Sequence, residues 1–214
     1  MSALQTVRVV FAKTGRSRFI SHLDLMRTMT RVMRRAQIPL WYTEGFNRHP
    51  YLTFAAPLPL GQEGLHETMD LRLESEMPMT ELVERLNEAM PAGMEAVSAA
   101  PAVKKPGELA AACYRVELCC PRQPVAALLE QPEIPVEKRT KKKTMKTVDI
   151  RPFFADARLE DIPQGVCMTV TLPCGQENVN PVLFCTALET ALGQKCPSRV
   201  VRLELLDSAG QPFR

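Results

Sequence analysis

Residues 15–61 read GRSRFISHLDLMRTMTRVMRRAQIPLWYTEGFNRHPYLTFAAPLPLG, and the pattern of this stretch decides the fold. Ser21 followed three residues later by Asp24 is a capping-box-like start, with a carboxylate in the first turn where the helix dipole favours it. Steps of 100° per residue place Leu25, Met29, Val32, Met33 and Ala36 on one face. Arg27, Arg31, Arg34 and Arg35 fall opposite, and Pro39 stops the helix soon after. The spacing therefore predicts a helix over 21–37 with a buried apolar stripe and an outward ladder of arginines. Before it, Thr6–Lys13 is β-rich and reads as a strand. After it, Pro39–Tyr42 is extended and Tyr51–Ala55 is a short strand.

Further out the pattern continues. His66–Glu74 alternates Met69, Leu71 and Leu73 against Asp70, Arg72 and Glu74, as a half-buried strand does. Pro78–Met90 reads as a helix and Met94–Ala100 as a strand. The order β-α-β-β-α-β is that of a ferredoxin-like unit. Residues 101–111, with Lys104-Lys105-Pro106-Gly107, read as a connector. Beyond it, strands are expected at Ala112–Cys120, Val136–Arg139, Val148–Phe153, Gly165–Leu172 and Arg199–Leu205. Helices are expected at Pro124–Leu129 and Pro181–Leu192. The expected fold is α+β: two tandem ferredoxin-like units, 1–100 and 112–214, each an antiparallel sheet with helices on one face.

Composition sets bounds. The chain has 214 residues, 45% apolar and 24% charged, which is ordinary for a globular protein. No apolar run is long enough to span a bilayer and the first residues lack a signal-peptide layout, so a cytoplasmic location without membrane contact is expected. Seven cysteines without a C-x-x-C pair read as reduced, mostly buried thiols, and neither metal nor cofactor is expected. The net charge of +3 is unevenly spread: residues 8–48 carry nine Lys/Arg against two acids, and residues 63–95 carry nine acids against two Arg. Residues 138–151 carry seven Lys/Arg against Asp149. Two basic blocks around an acidic one imply an oriented surface.

The basic blocks contain the candidate binding residues. Arg16 and Arg18 sit in a glycine-containing loop before the helix, where backbone N–H groups and guanidiniums can meet an anion. The loop is not a Walker A loop, because G-x-x-x-x-G-K-[ST] is absent. Arg27, Arg31, Arg34 and Arg35 on the helix, Arg48 in the turn 44–51, and Lys141, Lys142, Lys143 and Lys146 in the second block complete the set. Trp41, Tyr42, Phe46 and Tyr51 are aromatic partners for unpaired bases, with burial in the core as the plainer reading. Metal-independent RNA cleavage needs a base, an acid and a cation. His22, His49 and Tyr42, with Lys13 and Arg16, are the candidates for that set. His66 is assigned no role. The loop 14–18, the helix and the loop 44–51 are expected to share one face.

Several motifs also resemble a known family. They are Arg18-Phe19-Ile20-Ser21-His22-Leu23-Asp24, Arg34-Arg35-Ala36, Glu44-Gly45-Phe46-Asn47, His49-Pro50, Pro57-Leu58-Pro59-Leu60-Gly61 and Lys146-Thr147-Val148-Asp149-Ile150-Arg151-Pro152. Together they resemble the radical-SAM-linked domain of unknown function, found in bacteria as the tail of a B12-binding-type radical SAM protein or as a separate chain beside one. Arg48 departs from the proline expected there. The resemblance brings no assigned activity. It implies a radical SAM protein in trans as partner and an RNA-related setting. The chain has no C-x-x-x-C-x-x-C, so any such cluster belongs to the partner. Three readings stand at this stage: a non-catalytic RNA-binding accessory presenting tRNA or rRNA to the modification enzyme, a metal-independent endoribonuclease, and a protein-interaction scaffold.

Overall fold

The computed structural model describes residues 5–139 and 145–214. Its first strand, β1 (Gln5–Lys13), is followed by α1 (His22–Arg35), the short β2 (Leu52–Phe54), β3 (Glu63–Leu73), α2 (Met79–Ala89) and β4 (Met94–Pro101). Then come β5 (Leu109–Leu118), α3 (Arg122–Leu129), β6 (Pro135–Arg139) and β7 (Met145–Asp149). The chain ends with β8 (Arg158–Ile162), β9 (Gly165–Pro173), α4 (Val182–Leu192) and β10 (Ser198–Asp207). The protein is a mixed α+β chain built mostly on antiparallel strand pairs, with four α-helices among the described residues. It divides into two compact units: Met1–Leu109 with Arg202–Arg214, and Ala110–Val201.

In the first unit the strand order is β4-β1-β3-β10, with the short β2 also paired to β3, over Met69–Leu71. β1 pairs antiparallel with β3 from Gln5↔Leu73 to Lys13↔Gly64, and antiparallel with β4. Register shifts after Val10 and Phe11 mark irregularities near the end of β1. Val7, Val9 and Phe11 of β1, and Met69, Leu71 and Leu73 of β3, form a core with Leu25, Met29, Val32 and Met33 of α1 and with Leu82 and Leu86 of α2. The expected stripe of α1 is thus the buried one. Its start is capped as the sequence predicts: the Ser21 hydroxyl accepts from the Asp24 amide at 3.2 Å and donates to the Asp24 carboxylate at 2.7 Å.

The end of α1 is less ideal. The Gln37 amide donates to the Arg34 carbonyl and the Ile38 amide to the Met33 carbonyl, the paired bonds of a Schellman turn, with Ile38 buried beneath. That turn places Gln37 at φ 52, a region that favours glycine.

Two expectations for the strands need correction. Asp70 is buried rather than solvated, because it lies directly across from Arg8 and the two form a bidentate pair at 2.7 and 2.8 Å. The strand predicted at Val148–Phe153 ends at Asp149. Pro152 starts a single tight turn over Arg151–Phe154, which drops Phe154 against Phe184 at 5.0 Å.

In the second unit β5, β9 and β8 are antiparallel neighbours, and the first residues of β10, through Val201, lie beside β5. Gly165 opens β9 at φ 147, where a Cβ would stand 2.2 Å from the Leu118 carbonyl, so only glycine fits. β6 and β7 form a separate two-stranded hairpin. No disulfide joins the cysteines; burial pushes the Cys120 thiol up to about 12 and that of Cys185 up to about 11. No helix among the described residues is long and apolar enough to cross a membrane.

Gln37→Gly removes the left-handed penalty at the end of α1, partly offset by the greater freedom of glycine in the unfolded chain. Stability should rise by up to about 1 kcal/mol. The check is a urea titration, with a higher midpoint at unchanged slope; an unchanged or lower midpoint contradicts it.

Candidate nucleic-acid interface

The four arginines of α1 are all exposed, as the 100° spacing requires once the opposite stripe is buried. They are not equivalent. Arg27 pairs with Asp24 at 3.1 Å. Arg35 donates to the Ala89 carbonyl at the end of α2. Arg31 and Arg34 form no hydrogen bond or ion pair among the described residues. Arg31, Arg34 and Arg35 line one open hollow of about 450 Å³ together with Thr28 and Pro91. A second hollow of about 370 Å³ lies between Arg35, Gln37, Arg85 and Glu88. Arg85 pairs with Glu81 on its own helix, so the acids of α2 leave Arg31 and Arg34 unneutralised.

The loop before the helix is closed on itself. The Thr14 amide donates to Gly93, the Ser17 amide to Thr14 and the Ile20 amide to Ser17. The Ser17 hydroxyl lies 2.8 Å from the Thr14 carbonyl and 2.9 Å from that of Gly93. Those three amides are therefore spent and are not available to an anion. Arg16 is exposed, whereas Arg18 reaches Glu63 at 3.1 Å and lies over the Phe19 ring.

The turn 44–51 is rooted elsewhere, which corrects the expected shared face. Lys13, at the entrance to the first loop, stands opposite Gly64. Leu40 stands opposite Leu73, and the Trp41 amide donates to the Arg72 carbonyl. Nine residues of β3 separate Gly64 from Leu73, roughly 30 Å at the rise of an antiparallel strand. Within the turn, Tyr42 bridges Pro50, and Arg48, His49 and Phe46 are exposed. Phe46 is fully solvated and so is no core residue. Trp41 and Tyr51 are already served by a cation: the Arg72 guanidinium lies 5.3 Å from one ring centre and 4.4 Å from the other. The sequence reading passed over Arg72 because it sits in the acidic block; its place on β3 two residues after Asp70 was the available signal.

The proposed catalytic set is not assembled. His22, the first residue of α1, lies edge-on to Phe54 at 5.3 Å, and Phe11 meets that same Phe54 ring edge-on at 5.9 Å. Burial lowers its pKa, and its Nδ1 is buried without a hydrogen-bond partner. His49 makes only turn contacts, its amide to the Thr43 hydroxyl and its ring to the Pro50 carbonyl. No hydrogen bond or ring contact joins His22, His49 and Tyr42 among the described residues. His66 sits 2.9 Å from the Leu203 carbonyl and 3.3 Å from Glu204. Lys146 is exposed on β7, opposite Lys138. Lys141, Lys142 and Lys143 lie outside the described residues.

A charged cluster that the sequence did not announce fills the end of β1 and β3. Arg202 of β10 grips Glu67 with Nε at 2.8 Å and its other arm on the second carboxylate oxygen, and it also donates to the Ala56 carbonyl at 2.8 Å. Gly64 leaves the room: a Cβ there would stand 2.2 Å from the Glu67 carboxylate. Beside this pair lies Lys13, only 1% exposed, its ammonium donating one hydrogen bond, to the Arg18 carbonyl at 3.3 Å. Desolvation lowers its pKa, Glu67 opposes that and Arg202 adds to it. Among the described residues no group of three or more His, Cys, Asp or Glu side chains is arranged to hold a metal ion.

A mixed α+β chain with a basic helix face and a buried charge cluster defines a class, not an activity. Residues 6–181 match the model of a family described as "Uncharacterized protein conserved in bacteria (DUF2344)", and the chain belongs to that family. No curated protein matches it. Among solved structures it is similar to one titled "Crystal Structure of an Unknown Protein from Galdieria sulphuraria", with 12% identity, 93% of this chain and 98% of that one covered, and a TM-score of 0.28.

Lys13 gives a pH test. With its pKa lowered in the folded state below that of an ordinary lysine, the native state releases the proton first. Over that window the unfolded state binds more protons, so this residue makes stability rise with pH. In Lys13→Met that contribution is absent. Urea midpoints measured at several alkaline pH values should show wild type gaining on the variant up to about the unfolded pKa; parallel curves would contradict the buried, destabilised ammonium.

Proposed function

We propose that this chain is an RNA-binding accessory protein that presents tRNA or rRNA to a radical SAM modification enzyme acting in trans. The observation that carries the reading is the arginine row of α1. Its members are exposed, and three of them border one hollow with Thr28 and Pro91. Guanidiniums bind phosphates bidentately and stack on bases, which suits a nucleic-acid backbone better than a compact ammonium does. The exposed Phe46 adds an aromatic in the first unit, and Lys146 is an exposed cation of the second. The tie to a radical SAM partner rests on the sequence motifs that resemble that domain.

The fold reading goes with it. We take each unit as ferredoxin-like. The order β4-β1-β3 with β2 on β3, and the order β10-β5-β9-β8 in the second unit, support this, with β6 and β7 as an inserted hairpin. A sheet backed by helices holds surface side chains rigidly, as an RNA platform needs.

Arg27→Ala, Arg31→Ala and Arg34→Ala together should weaken RNA binding and make the salt slope shallower by about 0.7 per lost contact for a single strand, with little change in folding. Titration of labelled tRNA and rRNA fragments at several salt concentrations measures both. A triple variant that binds all of them like wild type refutes the reading and leaves a protein scaffold. His22→Ala with His49→Ala should leave RNA intact in the presence and absence of the substitutions. Metal-free cleavage by wild type, lost in that double variant, would instead establish a nuclease.

A further inference from the structure

The turn entering α1 and the first half of that helix carry a second exposed feature, apolar rather than charged. Phe19 is 63% exposed, Leu23 57% and Met26 37%. Leu60, 65% exposed, is brought to the same place because the Gly61 amide donates to the Arg18 carbonyl at 2.8 Å. Four large apolar side chains thus face water around one helix start, although the same helix buries its opposite stripe completely. Isolated exposed apolar residues need no explanation, but a group drawn together by the fold marks an interaction surface.

The chemistry decides what covers it. Leucine and methionine offer neither a π face nor a hydrogen bond to a base, and the Phe19 ring already holds the Arg18 guanidinium at 4.8 Å. RNA is therefore a poor occupant, and the apolar side chains of another protein are a good one. The rim is cationic: Arg16, Arg27 and Arg31 are exposed around it, and the only acid from residue 15 to 35, Asp24, is already bound to Ser21 and Arg27. We infer that Phe19, Leu23, Met26 and Leu60 form a docking surface for a second protein whose contacting face is apolar and ringed by aspartate and glutamate. Leu23 and Met26 stand at i and i+3, the spacing with which a helix enters a partner's groove. The apolar residues of this surface play no part in the RNA reading, although the two readings share Arg27 and Arg31.

The test places the photocrosslinker p-benzoylphenylalanine at Leu23 and, as control, at the exposed Glu84, in cells that naturally make this chain. A protein captured at position 23 and not at 84 is then purified and titrated against the chain. The expected result is binding that weakens as salt rises and falls about tenfold or more with Leu23→Asp or Leu60→Asp. RNA affinity should be unchanged in Leu23→Ser, which adds no charge beside Arg27. Both positions are exposed, so the melting temperature should hold; Leu23→Ser, which adds no charge, serves as second variant should Leu23→Asp unfold. Adducts at position 23 to nucleic acid, to another copy of this chain, or to nothing beyond the control overturn the proposal. So does a captured protein whose affinity ignores the Leu23 and Leu60 substitutions.

Discussion

The buried pair of Glu67 and Arg202 is the constraint on which the first unit depends. Their residues are 135 apart in sequence, and one contact fixes the last strand of the unit against β3 and holds the Ala56 carbonyl as well. Two ions taken out of water cost several kcal/mol each, and the cost is recovered only when the geometry is full. Here both carboxylate oxygens are engaged and the guanidinium spends its spare donor on a carbonyl. Arg8 and Asp70 repeat the device further along β3, with the Lys104 carbonyl and the Phe213 ring as further partners of Arg8. Removing one member of such a pair typically costs about 3–5 kcal/mol, because the other charge is left buried alone. Directional pairs of this kind fix register in a way an apolar core of the same volume does not, since sliding β3 by one residue would strand four charges.

That fixed register is what turns α1 from an amphipathic segment into a positioned surface. Its buried stripe meets β1, β3 and α2, so its rotation about its own axis is set by packing. The arginines then emerge where they do because no other face is left. Exposure of Arg31 and Arg34 without an ion pair among the described residues goes with the same geometry, which buries the opposite stripe of the helix. The hollow they border lies between α1 and Pro91, just past the end of α2.

Much of this was legible in the residues. The helix, its cap, its stripe and the strand on either side follow from local chemistry and a 3.6-residue period, and those signals need no partner. What escaped reading was non-local. Asp70 alternates correctly for a solvated position, yet a single arginine opposite makes it a core residue. Lys13 ends a strand as lysines often do, but the irregular pairing after Phe11 and the closed loop above it bury its ammonium. Val148–Phe153 is β-rich in composition, and Pro152 ends it early because the ring removes a donor and fixes φ. The shared face failed because adjacency in sequence around a helix says nothing about which end of β3 each flanking loop meets. Strand β8 carries too little apolar pattern to announce itself.

The arginines of α1 also invite a purely structural explanation, and position separates it from a functional one. Arg34 and Arg35 lie in the last turn, where cations favour the carbonyl end of the helix by about 0.3–1 kcal/mol. Arg35 in addition caps the end of α2 through Ala89. Those two residues have reasons to be basic without any ligand. Arg27 and Arg31 do not: they sit mid-helix, beyond the reach of the dipole, and Arg31 forms no ion pair among the described residues, acting on Asp24 only at longer range. Arg27 keeps one exposed pair with Asp24, the kind worth at most about 1 kcal/mol and readily exchanged for a phosphate. The helix therefore grades from stabilising cations at its end to unexplained ones at its middle, of which Arg31 borders the hollow and both rim the apolar patch. A surface that serves only folding would concentrate its charge where the backbone rewards it.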